Sequence, residues 1–246
     1  DFYVNIRPIE DGGLITINNY DEEMLPLMRH YIDSLTNDNL LIVFHTYGSH
    51  FNYKERYPAE FVRFTPANAT EIEYKNKTQL VNAYDNSILY TDNFLYNVIE
   101  ILKQSGSDAT MIYSPDHGED LLDDNRKRFL HASPIPTYYQ LHIPFLIWFS
   151  DNYIEARPNF YQVARYNSNA PVATNHIFHT LLNLAEINTS HFEPELSLVN
   201  PVFKRQPRMY LGDHDTPINY YEVGLKKQDK EMVKHRGMDC TVDISR

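Results

Sequence analysis

Cysteine is almost absent: Cys240 stands alone in 246 residues, so no internal disulfide can form. The fold must rest on burial, and a chain of this length buries roughly 70–75% of the surface that its unfolded form exposes. One cysteine leaves the redox compartment open, because an oxidising space permits disulfides without requiring them. Long apolar runs are missing too. The best, Ile143 to Phe149, falls far short of the ~20 residues of a membrane helix. The opening Asp1-Phe2-Tyr3-Val4-Asn5 has neither the basic start nor the apolar centre of a secretory leader, and it lacks methionine, as a processed or trimmed product does. Positive charge is scarce: 22 Lys and Arg against 33 Asp and Glu give a net charge of −11, and the pI is about 5.4. This argues against a nucleic-acid partner, which would need a basic face. It does not exclude a phosphate-bearing substrate, since bound cations reverse the local field. No glycine-rich phosphate loop precedes a helix, no Gly-x-Ser-x-Gly elbow occurs, and there is neither an internal repeat nor a low-complexity linker.

What is present is an α/β pattern. Tyr20 to Leu35 carries Met24, Leu25, Leu27, Met28, Tyr31, Ile32 and Leu35 at helical spacing. Thr78 to Lys103 is the clearest helix, with a stripe from Leu80 through Ala83, Tyr84, Ser87, Ile88, Thr91, Leu95, Val98 and Ile99 to Leu102; Ser105-Gly106 ends it. A third helix is predicted after Thr174 as N-cap, burying Ile177, Phe178, Leu181, Leu182 and Ala185. Apolar runs at 40–44, 109–113 and 143–149 read as buried strands, and 208–211 as a last strand. Residues 51–76 and 120–142 read as long loops, the first 20 residues as irregular or an edge strand, and the last twenty as a surface helix or tail. Aromatics reach 13%, which serves packing first and a lipid- or sugar-facing rim second. The element order gives a layered α/β fold.

Chemistry concentrates at two strand ends. Ala109-Thr110-Met111-Ile112-Tyr113 runs into Ser114-Pro115-Asp116-His117-Gly118-Glu119, and Leu40 to Phe44 runs into His45-Thr46-Tyr47-Gly48-Ser49-His50. Open α/β sheets present ligands at the carboxyl ends of their strands, so Asp116, His117, His45 and His50 are expected to approach one crevice. A carboxylate beside an imidazole suits zinc, with a coordination position left open. Gly48 lets the chain turn between His45 and His50. A neutral imidazole there could bind a second metal, and a protonated one could hold a phosphate oxygen or protonate a leaving group. His131, in Phe129-Leu130-His131, reads alone as a loop histidine. His176 and His179 sit at i, i+3 on a helix whose apolar stripe is complete without them, so they are expected on its solvated face. Asp213-His214-Asp215 reads as a turn.

The ordered set of motifs resembles the alkaline phosphatase/sulfatase superfamily, and within it the phosphoethanolamine transferases of Gram-negative envelopes, which modify lipid A and related glycolipids. The resemblance is carried by His45-Thr46-Tyr47-Gly48-Ser49-His50, Tyr53-Lys54-Glu55-Arg56-Tyr57-Pro58 with Phe64-Thr65-Pro66, Asn82-Ala83-Tyr84-Asp85-Asn86-Ser87 with Thr91-Asp92, the 114–119 stretch and Leu130-His131. It spans about residues 20 to 190. Tyr84-Asp85-Asn86 favours the transferases. Cys240-Thr241-Val242-Asp243-Ile244 is not the Cys-x-Pro-x-Arg site that sulfatases modify into their nucleophile.

The resemblance implies a three-layer domain with a central, mostly parallel sheet, incomplete at its N-terminus. Residues 1–246 would form one sulfatase-like catalytic domain, with 196–246 an extension packed on it or partly loose. It implies Asp116 and His117 as ligands of the main zinc, and His50 and His131 as the catalytic pair touching the transferred phosphoryl group or a further zinc. His45 and Glu119 would lie close by, binding substrate, and Asp85 and Asn86 would be structural. One or two zinc ions are expected ahead of manganese or magnesium. The family's nucleophile is a threonine near a metal-binding glutamate, well upstream of the His-x-x-x-x-His stretch. Here 44 residues precede His45 and no Glu-Thr or Glu-Ser pair occurs, so the nucleophile and a membrane anchor are expected upstream of this chain. The implied activity is transfer of phosphoethanolamine from phosphatidylethanolamine to an envelope glycolipid through a phospho-threonine-type intermediate, on the periplasmic face of an inner membrane. A phosphatase, sulfatase or phosphoglycerol transferase would show the same motif order, and the segment alone could be inert.

Overall fold

A computed structural model of the chain describes residues 20–34, 39–131, 134–211 and 216–235, together with the backbone at 10–11 and 14–15. The chain divides into two compact units, residues 1–106 with 121–129 and residues 107–120 with 130–246.

In the first unit β1 (Glu10–Asp11) and β2 (Leu14–Ile15) pair antiparallel. A 3₁₀ turn at Asp21–Met24 leads into α1 (Leu25–Ser34). The unit is organised by α2 (Lys77–Ser105), 29 residues long, which stops where Gly106 takes φ +66° and donates its N–H to Lys103 O. Its buried face carries Leu80, Ala83, Ser87, Tyr90, Phe94, Val98 and Ile101 at helical spacing. Asn86 is buried in that face. Its Oδ1 accepts from Arg63 N at 2.8 Å and Phe64 N at 2.9 Å, while Nδ2 donates to Phe64 O at 3.0 Å and Tyr57 Oη at 3.3 Å. The expected loop at 51–76 is therefore a set of 3₁₀ turns (Tyr53–Glu55, Ala59–Phe61, Tyr74–Asn76) strapped to α2. Fully buried Tyr53 packs with Ala67, Ala83 and Leu121, ringed by Phe51, Tyr84 and Phe129.

The strand expected at 40–44 is extended but joins no ladder among the described residues. Its burial still alternates. Phe44 turns inward and meets Phe94 edge-on at 5.6 Å, whereas Leu41 and Val43 are 65% and 78% exposed. The sequence encodes a strand, but no described neighbour pairs with it.

In the second unit β3 (Thr110–Tyr113) comes first; β4 (Asp120–Leu121) and β5 (Phe129–Leu130) then form a two-stranded sheet, within which the chain leaves this unit and returns. The single helical turn α3 (Tyr138–Leu141) starts at Thr137, whose Oγ1 accepts from Gln140 N. Next comes β6 (Leu146–Phe149), antiparallel to β3, with Thr110 opposite Phe149 and Tyr113 opposite Leu146. Ser150 caps α4 (Asp151–Ala156), and α5 (Pro158–Asn167) begins on a proline. Then come α6 (His176–Leu184), the antiparallel pair β7 (Met209–Tyr210) and β8 (Ile218–Asn219), and α7 (Lys227–His235). One core joins Phe149, Tyr153, Leu184 and Val199; another joins Tyr138, Tyr220, Leu225 and Val233.

Helix α6 corrects two expectations. Asn175, not Thr174, precedes it, and no side chain caps it. It buries His176, His179, Thr180 and Leu184, while Phe178 is half exposed. The histidines are inside because they bind backbone. His176 Nδ1 lies 2.9 Å from Ala173 O, His179 Nδ1 accepts from Glu193 N at 3.0 Å, and Thr180 Oγ1 accepts from Leu198 N at 3.0 Å. Burial pushes the His176 pKa down from the ordinary histidine value. Asp213-His214-Asp215 and Cys240 lie outside the described residues. Among the described residues no helix is long and apolar enough to cross a membrane.

Candidate metal centre

The chain leaves β3 at Tyr113 and reaches Asp116-His117-Gly118-Glu119 before entering β4. Gly118 is pressed against α3. Its N–H donates to Gln140 O at 2.8 Å, and a Cβ built on it would lie 2.0 Å from Tyr139 O. Only glycine fits there. With Gly118 pinned, its two neighbours are held as well. His117 Nδ1 lies 2.8 Å from Gly118 O, and a carbonyl only accepts, so this nitrogen carries a proton, and Nε2 is the ring nitrogen with which a neutral His117 could ligate.

His131 enters from β5. Leu130 before it has φ +66°, a left-handed conformation that costs a non-glycine residue about 1–2 kcal/mol. Such strain persists where surroundings over-determine the backbone, and it clusters at functional sites. The result is a compact group. His131 Nδ1 is 3.1 Å from Glu119 Oε1, and the rings of His117 and His131 stack with centroids 3.6 Å apart. Glu119 is only 5% exposed, and both imidazoles are about one-third exposed. One donor atom from each of His117, Glu119 and His131 lies within 4.8 Å of the other two, a grouping of three that occurs once among the described residues.

The donor set fits a metal. Two imidazoles and one carboxylate are the kind of donor set that could hold a zinc ion with a fourth position open. Ligand atoms about 2.0–2.1 Å from a tetrahedral ion lie roughly 3.3 Å from each other, close to the 3.1 Å between His131 Nδ1 and Glu119 Oε1.

The remaining expected site residues are Asp116, His45 and His50. Asp116 lies at the rim, its side chain 88% exposed; its Oδ1 accepts from His117 N at 3.0 Å and stands 3.7 Å from His117 Nε2. It is not in the three-donor group. His45 and His50 belong to the other unit and are exposed there. Gly48, with φ +52°, turns the chain between them, and the two carboxylate oxygens of Asp21 accept from Tyr47 N and Gly48 N, each at 2.9 Å. His50 Nδ1 is 2.6 Å from Phe51 O.

Sequence reasoning missed the support behind the site. Asp120, buried beside Glu119, accepts from Thr137 Oγ1 at 2.8 Å and Gln140 Nε2 at 2.6 Å. The available signal was Thr137-x-x-Gln140, the spacing of a helix capping box.

An α/β chain that gathers a buried carboxylate and two stacked imidazoles where they could hold a metal is of the sulfatase kind, and the chain belongs to the sulfatase family, whose model matches residues 4–187. Its relatives are more specific. It is 34% identical over 193 residues to phosphoethanolamine transferase EptA of Salmonella typhimurium, which covers 74% of this chain and 34% of that protein. It is 36% identical over 132 residues to the Kdo(2)-lipid A phosphoethanolamine 7''-transferase of Escherichia coli, covering 53% of this chain and 23% of that one. Among solved structures it resembles the C-terminal periplasmic domain of EptC from Escherichia coli in complex with zinc, with a TM-score of 0.74, 26% identity, and coverage of 93% of this chain and 62% of the other. The chain thus spans about a third or less of the length of these curated relatives.

Proposed function

We propose that the protein to which this chain belongs is a zinc-dependent phosphoethanolamine transferase. It would move the headgroup of phosphatidylethanolamine to an envelope glycolipid such as lipid A, on the periplasmic face of a Gram-negative inner membrane. The observation that carries this reading is the His117–Glu119–His131 cluster, in a chain whose relatives are named for that transfer and whose structural neighbour was solved with zinc.

His117, Glu119 and His131 would hold the ion, with Asp116 at the rim as an exposed carboxylate able to complete or exchange a ligand position. Zinc so bound supplies Lewis acidity toward phosphoryl oxygens. The chain's own contributions are electrostatic and positional. Glu119 brings a buried negative charge that retains the cation, and the Nδ1–H of His117, bound to Gly118 O, fixes the tautomer that leaves Nε2 able to ligate. His45 and His50 are proposed to bind or protonate the transferred group. The threonine nucleophile is proposed to lie outside these residues. Residues 1–246 are proposed as part of one catalytic domain, with 196–246 as an extension.

The test is made on the full-length protein. Wild type should contain zinc and add the mass of phosphoethanolamine to lipid A, and His117→Ala should lose zinc and transfer together. Normal turnover by His117→Ala, or release of free phosphate or sulfate in place of the lipid product, would overturn the proposal.

A further inference from the structure

We infer that Gln140 is a positioning residue for the metal centre, and that Asp229 on α7 fastens it in place. The inference rests on the reading of His117, Glu119 and His131 as ligands. It adds a support that reaches beyond residue 187, where the family match ends.

Helix α3 is four residues long, too short to hold its own shape. It is held from outside. Thr137 Oγ1 accepts from Gln140 N at 3.3 Å, and the buried carboxylate of Asp229 accepts from Tyr138 N at 2.9 Å. Tyr138 also packs with Tyr220, Leu225 and Val233. Asp229 stands in the first turn of α7, where the helix dipole favours a negative charge.

From this fastened turn, Gln140 reaches the backbone or side chain of a residue adjacent to every ligand. Its backbone carbonyl oxygen, which any residue here would keep, accepts from Gly118 N at 2.8 Å, between His117 and Glu119. Its Nε2 donates to Asp120 Oδ2 at 2.6 Å, immediately after Glu119, and to Leu130 O at 3.3 Å, immediately before His131. Thr137 adds a bond from Oγ1 to Asp120 Oδ1 at 2.8 Å. Both ligand-bearing stretches therefore hang on one buried residue. A carboxamide suits the post because it offers two N–H donors. A glutamate there would offer none when ionised and would face the carboxylate of buried Asp120.

The experiment uses the full-length protein. Zinc affinity is measured by competition with a chromophoric chelator, and the visible spectrum of the cobalt-substituted protein reports ligand geometry. Gln140→Glu should weaken zinc binding by up to about 10-fold, the low end of the cost of losing a direct outer partner of a ligand, because Gln140 acts through residues next to the ligands, and should alter the cobalt bands. Gln140→Leu keeps the volume and adds no charge; it should do the same to a smaller degree. Asp229→Ala should lower affinity several-fold, and Asp229→Asn, which keeps an acceptor for Tyr138 N, should restore most of it. Asn183→Ala is the control: it removes bonds to Ser197 and Asn200 in the same unit and should lower the melting temperature without touching affinity or spectrum. Wild-type affinity and spectrum in both Gln140 variants would overturn the inference. Wild-type zinc binding by His117→Ala would instead overturn the ligand assignment, so the two failures are distinguishable.

Discussion

Replacing Gly118 by alanine should destroy the metal centre while adding a single methyl group. The new Cβ would start 2.0 Å from Tyr139 O, with Tyr139 C at 3.2 Å and His142 O at 3.3 Å, all of them backbone atoms. Real Cβ atoms essentially never come within 3.0 Å of such a neighbour, so the two backbones must part by at least about 1 Å. Overpacking of this kind costs roughly 1–3 kcal/mol. The parting also breaks the bond from Gly118 N to Gln140 O, worth about 0.5–1.5 kcal/mol. Together these give about 2–4 kcal/mol, or a fall in melting temperature of roughly 5–15 °C. The effect on metal is larger in proportion, because ligand distances tolerate only about 0.2 Å and His117 and Glu119 flank the displaced residue. Calorimetry and zinc analysis of Gly118→Ala read both effects. Gly106→Ala is the contrast. Its φ of +66° is left-handed, a cost that Gly118 does not carry, but its Cβ would meet nothing within 4 Å. It should lose about 1 kcal/mol and keep its zinc. A Gly118→Ala protein that melts with wild type and binds zinc with the same affinity would refute the close approach of α3 on which this reasoning stands.

Two further outcomes follow from the cores. Burial holds His176 neutral in the native state, so below the ordinary histidine pKa of about 6.5 the unfolded chain binds a proton that the native one refuses. Stability should be full above that pH and decline as pH falls through it, until the native ring protonates too; urea titrations at pH 7.5 and 5.5 should show a difference that shrinks in His176→Gln. Asn86→Ala removes the acceptor of Arg63 N and Phe64 N and two donated bonds, and should cost about 2–4 kcal/mol in urea unfolding, with no change in zinc content.

The helices were legible because their periodicity is local. The long helix expected at 78–103 is found at Lys77–Ser105, and Gly106 ends it. Its detailed face was less legible. Asn86 is fully buried and Ile88 half exposed, because the partner of that face is the 57–64 strap, whose backbone groups at 63 and 64 Asn86 binds. The same reason hid the interior side of α6. His176 and His179 look like surface residues until the 193–198 segment, whose backbone one of them binds, is folded against them. At the site, His117 stood out by its strand and glycine context. Its companionship with Glu119 and His131 depends on how β5 returns beside β4 and on the turn of Leu130, neither of which has a local sequence signature. Helices α4 and α5 were not anticipated, although Ser150 and Pro158 are ordinary helix-start residues.

The segment Leu40–Phe44 shows what an apolar run does and does not encode. Five consecutive apolar residues fit a strand buried on both faces, the habit of inner strands in α/β sheets. In the structure one face is covered, through Phe44 against Phe94, and the other carries Leu41, Val43, His45 and Tyr47 outward. An extended backbone with no ladder among the described residues and three exposed aliphatic side chains, Leu40, Leu41 and Val43, has the character of a sheet edge, of the kind that proteins normally pair, cover or charge. The histidines at 45 and 50 follow directly from that edge. They lie in the first unit, whereas His117, Glu119 and His131 are all residues of the second.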